Sequence, residues 1–300
     1  MEKFDNKFDR YRFSAIVDRP VYDWPEGKRL AVYFALNIEA FEFGKNPGPD
    51  FTSLPSAPFH RGYAYRDFGN RVGVWRIQRL FEEFKLPLAV LTNTSVFDAC
   101  PRVLEPFKAR GDEFVGHGRT NSERQIDMAE DVERTMLGQV RDRFVAETGK
   151  PPRGWLGPFI SQSAKTPELL LESGYTYMMD WYFDEQPQWF RTANGPILAV
   201  PYPSMELNDI PAFINRGSSD EEFTRMVIDG FDEQLDDSKN YPLVCAVSLH
   251  TFLMGQPHRI RQLRRMLAHM TQRRDAVWFT TPGAIADHVM ALPEGTVAKP

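Results

Sequence analysis

Short runs of apolar, β-branched and aromatic residues alternate along this chain with longer segments in which apolar positions recur every three or four residues. The short runs fall at residues 30–36, 88–91, 113–115, 154–156, 176–179, 197–200, 243–249 and 277–279. Runs this brief, without internal polar alternation, suit strands buried on both faces of a parallel sheet. Between them Ile77, Leu80, Phe81 and Phe84 mark one helix, and Ala129, Val132, Met136, Val140 and Phe144 mark another. Phe223, Met226, Val227 and Phe231 mark a third, with Ser218 and Glu221 spaced as a capping box. Thr166-Pro167 and Thr281-Pro282 read as an N-cap followed by proline in the first turn. Strands followed by helices predict an α/β protein whose parallel strands are covered by helices.

The chain has 300 residues, 42% of them hydrophobic and 13% aromatic, enough to bury a large core without metal or disulfide staples. No repeat or low-complexity tract divides it, so residues 1–300 are read as a single domain, with 1–28 wrapping its outside. The Gly/Pro-rich stretch 44–58 follows the first strong strand and reads as a lid or an oligomer contact. Lys and Arg number 36 against 41 Asp and Glu, for a formal charge of −5, and the basic residues form no block that would track a phosphate backbone. The densest of them, Arg259 to Arg274, carry Ile260, Leu263, Leu267 and Met270 at helical spacing and form the solvated face of an amphipathic helix. No nucleic-acid or membrane partner is therefore expected. Two cysteines, Cys100 and Cys245, exclude a disulfide framework. With no signal-type apolar core near Met1, a cytoplasmic location is expected.

In a barrel of parallel strands, polar groups just after the apolar runs converge on one mouth. Asn37-Ile38-Glu39 follows the first run, His117 follows Phe114-Val115-Gly116, and His250 ends the run 243–249. Each alone suits a turn or a hydrogen-bonded surface. Three in one architecture form the cluster of ionisable groups that acid–base chemistry needs.

These residues carry a resemblance to the polysaccharide deacetylase superfamily (NodB homology, carbohydrate esterase family 4), and within it to the branch of allantoinases and cyclic imidases. The segments are Phe34-Ala-Leu-Asn-Ile-Glu39, Gly69-Asn-Arg-Val-Gly-Val-Trp-Arg76, Gly116-His-Gly-Arg-Thr-Asn121, Arg153-Gly-Trp-Leu-Gly-Pro158, Asn208-Asp209, and Ser248-Leu-His250 continuing to Gly255-Gln-Pro-His-Arg259. The resemblance implies a distorted (β/α) barrel of about seven parallel strands. It also implies a hydrolase of carbon–nitrogen bonds other than peptide bonds, and a homo-oligomer.

The chain departs from the sugar-deacetylase pattern at the metal. That pattern has an aspartate base and an aspartate ligand in the first motif, and two histidine ligands in the second. Here Asn37, Glu39, His117 and Asn121 occupy those positions. Asn37 cannot take a proton, and an amide is a poor ligand for a zinc-like ion. No cofactor is required on this reading and no tightly bound metal is expected. A weakly held divalent ion would fall to Glu39, His117 and Asn121. Thr120 and Glu123 also have the spacing of a capping box, which gives Asn121 a structural explanation.

The expected reaction is the opening of a small cyclic imide, ureide or amide. Glu39 and His117 activate water and His250 is the general acid. A glutamate base works best with its pKa raised, and Leu36 and Phe41 supply apolar surroundings that would raise it. Substrate-binding candidates are Asn37, Arg119, Asn121, Trp155, Phe159, Trp181, Asn208 and Asp209. Arg119 could equally be a surface residue, Trp155, Phe159 and Trp181 could be core, and Asn208-Asp209 could simply turn the chain. Gly69-Asn70-Arg71 reads as the opening of a helix, with backbone N–H groups free for an anion. His258 and Arg259 either reach the mouth or only start the helix beyond it. Two alternatives stand beside this reading: a metal-dependent N-deacetylase of acetylated amino sugars, and a catalytically silent binder of small molecules.

Overall fold

The computed structural model describes residues 8–45, 48 and 60–300. Residues 1–7 of the expected wrap and nearly all of the 44–58 loop lie outside the described residues. Among the described residues one sheet of nine strands forms the centre: β1 Leu30–Ile38, β2 Ala89–Thr92, β3 Glu113–Gly116, β4 Gly154–Trp155, β5 Tyr177–Met178, β6 Gln188–Thr192, β7 Gly195–Ala199, β8 Leu243–His250 and β9 Val277–Phe279. Their order is β6-β7-β5-β4-β3-β2-β1-β8, with β9 also paired to β1. All pairings are parallel except β6 with β7. β8 follows β1 from Leu30 to Asn37, while β9 pairs with its first three residues and β2 with Ala35 to Ile38. A strand has two edges, so β9 and β2 share the one that β8 leaves. The antiparallel β6 has no counterpart among the apolar runs of the sequence. Its pattern, Gln-Trp-Phe-Arg-Thr, is half-buried rather than continuously apolar.

Period-two alternation assigns the two faces of the sheet. Leu30, Val32, Phe34, Leu36 and Ile38 of β1, with Leu243, Cys245, Val247 and Leu249 of β8, pack outward in the large core beneath the helices. Ala31, Tyr33 and Ala35, with Val244 and Ala246, face inward with Leu91, Val115, Tyr177 and Leu198. Continuing that inward register beyond the apolar residues gives Asn37 on β1 and Glu39 just past its end, and Ser248 and His250 on β8. Catalytic-type residues are thus the upper storey of the inner core.

Local signals decide the helix ends. Helix Asp220–Asp237 is capped by Ser219, whose hydroxyl accepts from Glu222 N–H while the Glu222 carboxylate accepts from Ser219 N–H. The capping box therefore sits one residue later than the Ser218–Glu221 expectation. Thr281 caps Pro282–Ala291 through Ala284 N–H, as expected. Thr166 lies inside its helix, Thr166–Glu172, and its hydroxyl bonds Glu133 instead of capping. Thr120 and Glu123 form no capping box. The Thr120 hydroxyl donates to Ala40 C=O, Glu123 pairs with Arg119, and the next long helix begins only at Glu130.

Gly69–Gly73 is a turn of π-helix between helices His60–Phe68 and Val74–Phe84, so it opens no helix and offers no free N–H row. Its glycines have another purpose. A Cβ on Gly73 would lie 2.1 Å from Thr251 O, and one on Gly255 would lie 2.2 Å from Gly73 Cα. This backbone approach seats the 60–84 helical run on the segment that follows His250. Gly73→Ala is expected to lower stability by about 1–3 kcal/mol, the usual range for an overpacked contact. The measurement is the midpoint of urea unfolding; an unchanged midpoint would show that the two segments separate at no cost.

Residues 8–28 lie against the domain. Trp24, 1% exposed, donates from Nε1 to Leu243 O at 3.0 Å. Arg19 pairs with Asp184, Arg10 pairs with Glu168, and Tyr11 stacks on Phe183 at 3.8 Å.

Candidate active site

The upper ends of the inner strands surround a cavity of about 510 Å³, lined by Asn37, Glu39, His117, Asn121, Asn208 and His250 among polar groups and by Phe159, Trp181, Phe183 and Phe252 among apolar ones. Glu39 stands at its base. Its Oε1 lies 3.3 Å from His117 Nε2 and 3.6 Å from His250 Nε2, so a carboxylate just past β1, an imidazole just past β3 and another at the end of β8 meet at one point.

Both rings are held from behind. His117 Nδ1 is 2.6 Å from Leu156 O, and His250 Nδ1 is 2.5 Å from Asp209 Oδ1. A carbonyl and a carboxylate only accept, so each Nδ1 carries the proton and each Nε2 is turned toward Glu39. Asp209 also accepts His250 backbone N–H on Oδ2 at 2.6 Å. It is fully buried and its two bonds fix both ring and main chain. Burial alone would lower the His250 pKa, but the charges of Asp209 and then Glu39 outweigh it and raise it. Burial alone would raise Glu39; His250, with His117 and Arg66 behind it, prevails and lowers it. The expected upward shift from Leu36 and Phe41 is thus reversed. Leu36 points to the outer face, and the Phe41 ring stacks on Arg66, 5.1 Å from its guanidinium carbon, bringing a cation to the site instead of an apolar wall.

The other expected site residues divide. Asn37 is buried and donates from Nδ2 to Ser248 Oγ at 3.1 Å and to Leu249 O at 3.2 Å, with Tyr202 O–H at 3.3 Å. Asn121 lines the cavity, and its Oδ1 is buried without a hydrogen-bond partner among the described residues. Asn208 lines it too, with its side chain spanning Pro203 O and Ile210 N–H. Phe159 and Trp181 form walls. Arg119 stands outside the cavity lining, forked onto Glu123 at 2.9 and 3.0 Å and reaching Gln139. Trp155 faces the outer core, fully buried, donating to Gln125 Oε1 and packed edge-on to Tyr175. Asp209 sits behind His250 instead of in the cavity wall. His258 and Arg259 end on Asp220, at the start of another helix.

Three contributors stand outside the expected site: Asn93 and Arg66 belong to no motif, and Asn70, although within the Gly69–Arg76 segment, reads in the sequence only as part of a helix start. Asn93, at the end of β2, accepts Ala40 N–H and donates to His117 C=O, joining the ends of β1 and β3. Asn70 Nδ2 donates to Glu39 C=O at 2.7 Å. Arg66 is buried between the Phe41 and Phe252 rings, with Nη1 on Gly62 O. Asn93 could have been found by extending the inner-face alternation of β2; Arg66 and Asn70 lie on a helical run that only the folded chain brings near Glu39.

No protein-family model matches the chain. A Schizosaccharomyces pombe protein named "Putative polysaccharide deacetylase" is 24% identical over 297 residues, covering 88% of this chain and 91% of its own. The structure of a "probable Polysaccharide deacetylase" from Pseudomonas aeruginosa PAO1 superposes with a TM-score of 0.81 at 27% identity, covering 92% of this chain and 97% of that one. That of "Puue Allantoinase" superposes with a TM-score of 0.83, also at 27% identity, covering 96% and 98%. The chain has the NodB-type polysaccharide deacetylase fold. It is an enzyme of the amidohydrolase and esterase class to which such proteins belong.

The polysaccharide deacetylase fold implies a zinc-like ion, and the residues here fit one poorly. Among the described residues no group of three His, Cys, Asp or Glu side chains is arranged to hold a metal. The expected ligand positions supply one carboxylate, one imidazole and one amide, and the amide oxygen of Asn121 is a weak partner for zinc. Glu39 Oε1 already faces two imidazoles. Among the described residues no helix is long and apolar enough to cross a membrane.

Proposed function

We propose that this enzyme hydrolyses a C–N bond in a small cyclic imide, ureide or amide, without strict dependence on a bound metal. The observation that carries the reading is the single carboxylate placed between two imidazoles whose Nδ1 atoms are both committed elsewhere. A water held by Glu39 and His117 attacks the carbonyl and leaves its proton with that pair. His250 Nε2 then protonates the departing nitrogen, and the C–N bond breaks. Glu39 Oε1, near both rings, returns the proton from the water side to His250 for the next turnover. The His250 pKa, raised by Asp209 and Glu39 against burial, keeps an imidazolium available as acid. A cavity of about 510 Å³ with aromatic walls suits a compact, flat substrate.

One observation favours the second reading, a metal-dependent N-deacetylase of acetylated amino sugars. Glu39 Oε2 and Asn121 Oδ1 are both buried without hydrogen-bond partners among the described residues, and His117 lies between them in the family's ligand order. A weakly held divalent ion would take Glu39, His117 and Asn121. Purified protein assayed against allantoin, succinimide, hydantoins and chito-oligosaccharides, with and without chelator, separates the two. Ring opening that survives chelation is expected. Activity confined to acetylated sugars and abolished by chelator would replace the first reading with the second. A cytoplasmic homo-oligomer acting on small molecules remains part of the proposal, checked by fractionation and by mass in solution.

A further inference from the structure

Asp209 orients His250 directly, and the structure contains a second, indirect version of the same device for His117. The carbonyl that receives His117 Nδ1–H is that of Leu156, at 2.6 Å. The N–H of the same peptide group belongs to Gly157, and it donates to Asp180 Oδ1 at 2.7 Å. The order is therefore carboxylate, peptide N–H, peptide C=O, imidazole. Hydrogen bonds in series polarise one another, so an acceptor on the N–H makes the C=O of that peptide a better acceptor.

The peptide is also fixed mechanically. A Cβ on Gly157 would lie 2.4 Å from Gln125 Oε1, 2.7 Å from Ser161 O and 2.9 Å from Asp180 Oδ1, so only glycine lets the three close on it. Just beyond, Phe159 and Ile160 adopt φ of 62° and 53°. Left-handed backbone is unfavourable for such side chains, for a β-branched isoleucine above all, and persists only where the surroundings impose it. The imposed turn keeps the Leu156–Gly157 peptide between His117 and Asp180.

We propose that Asp180 is a positioning residue for His117, acting through the Leu156–Gly157 peptide to hold the ring in its Nδ1-protonated form with Nε2 directed at Glu39. The inference rests on the proposed hydrolysis for its kinetic consequence, though not for its structural one. Asp180 also borders the cavity, so direct contact with substrate is the competing role.

The test uses Asp180→Ala, with Asp180→Ser beside it as a second variant that keeps a small polar group, and Asp180→Asn as the conservative rescue. An asparagine Oδ1 still accepts Gly157 N–H. Long-range 1H–15N spectra of the imidazole rings read the tautomer from carbon-bound protons, and the His117 signals are assigned by their loss in His117→Gln. In the ligand-free protein His117 is expected to be Nδ1-protonated in wild type and in Asp180→Asn, and to shift toward mixed tautomers in Asp180→Ala and Asp180→Ser. With a cyclic substrate, kcat should fall by about 10–100-fold in the alanine variant, the usual effect of losing a group that orients a functional histidine. KM should change by less than about threefold, and asparagine should restore most of kcat. An unchanged His117 tautomer in a folded alanine or serine variant overturns the proposal, as does a raised KM with kcat intact. If no cyclic substrate is turned over, the proposed function fails while the ring spectra of the free protein still decide this inference.

Discussion

Replacing Glu39 by glutamine is expected to reduce kcat/KM for the ring-opening reaction by at least about a hundredfold, the ordinary consequence of losing an acid–base group. The two side chains are nearly isosteric, so the cavity keeps its shape and the loss is one of charge and proton affinity. Glu39 is buried, lies 3.3 Å from one imidazole and 3.6 Å from the other, and is the carboxylate placed to carry a proton between them. A glutamine amide cannot take the proton of the attacking water. It also removes one of the two negative charges that raise the His250 pKa, so the imidazolium form of the acid is less favoured as well. Both effects act on the chemical step, so kcat should bear most of the loss. Steady-state kinetics with matched circular dichroism check this. A loss smaller than about fivefold would remove Glu39 from the chemistry and transfer the search for a base to His117.

Much of this site was legible because strand alternation continues past the apolar residues. On β1 the inward series Ala31, Tyr33, Ala35 runs on to Asn37 and Glu39, and on β8 Val244 and Ala246 run on to Ser248 and His250. The same logic places Asn93 above Ala89 and Leu91, although an asparagine at a strand end equally suits a turn. The limits were physical too. Ser218-Ser219 and Glu221-Glu222 offer two overlapping capping boxes by spacing alone, and the folded chain uses the second. Asp209 reads as a turn residue beside Asn208, since its partner His250 is forty-one positions away and the isolated bridge between Asn208 and Ser248 that brings them together is a tertiary event. Against burial, the sign of the Glu39 shift is set first by His250, then by His117 and last by Arg66, none of which lies near Glu39 in the sequence; Arg66 arrives on a separate helix and is seated by Phe41 and Phe252.

Asp209→Asn is expected to cost about 10²–10⁴ in kcat, because it disturbs both the orientation and the charge of the general acid. Asp209 accepts two hydrogen bonds from one residue, His250 Nδ1–H on Oδ1 and His250 N–H on Oδ2. An amide has one oxygen, so either way round it presents its NH₂ to one of those donors. If the backbone N–H is the one left unpaired, stability falls by about 1–3 kcal/mol, the cost of stranding a buried polar group. If the ring is, His250 turns over its tautomer and Nε2 no longer offers a proton to the leaving nitrogen. The pH dependence distinguishes this from a general loss of packing. In wild type, activity needs ionised Glu39 and protonated His250, so it should rise through the lowered Glu39 pKa and fall through the raised His250 pKa. A histidine whose folded pKa is raised contributes stability that is fully present below its unfolded value of about 6.5 and is lost as pH climbs through the folded value. Removing the Asp209 charge should therefore move the alkaline limb of the rate profile to lower pH. The stability gap between wild type and variant should be widest on the acid side of about 6.5 and narrow above it. A variant with an unmoved alkaline limb and a pH-independent stability gap would show that His250 is not the acid whose proton the reaction uses.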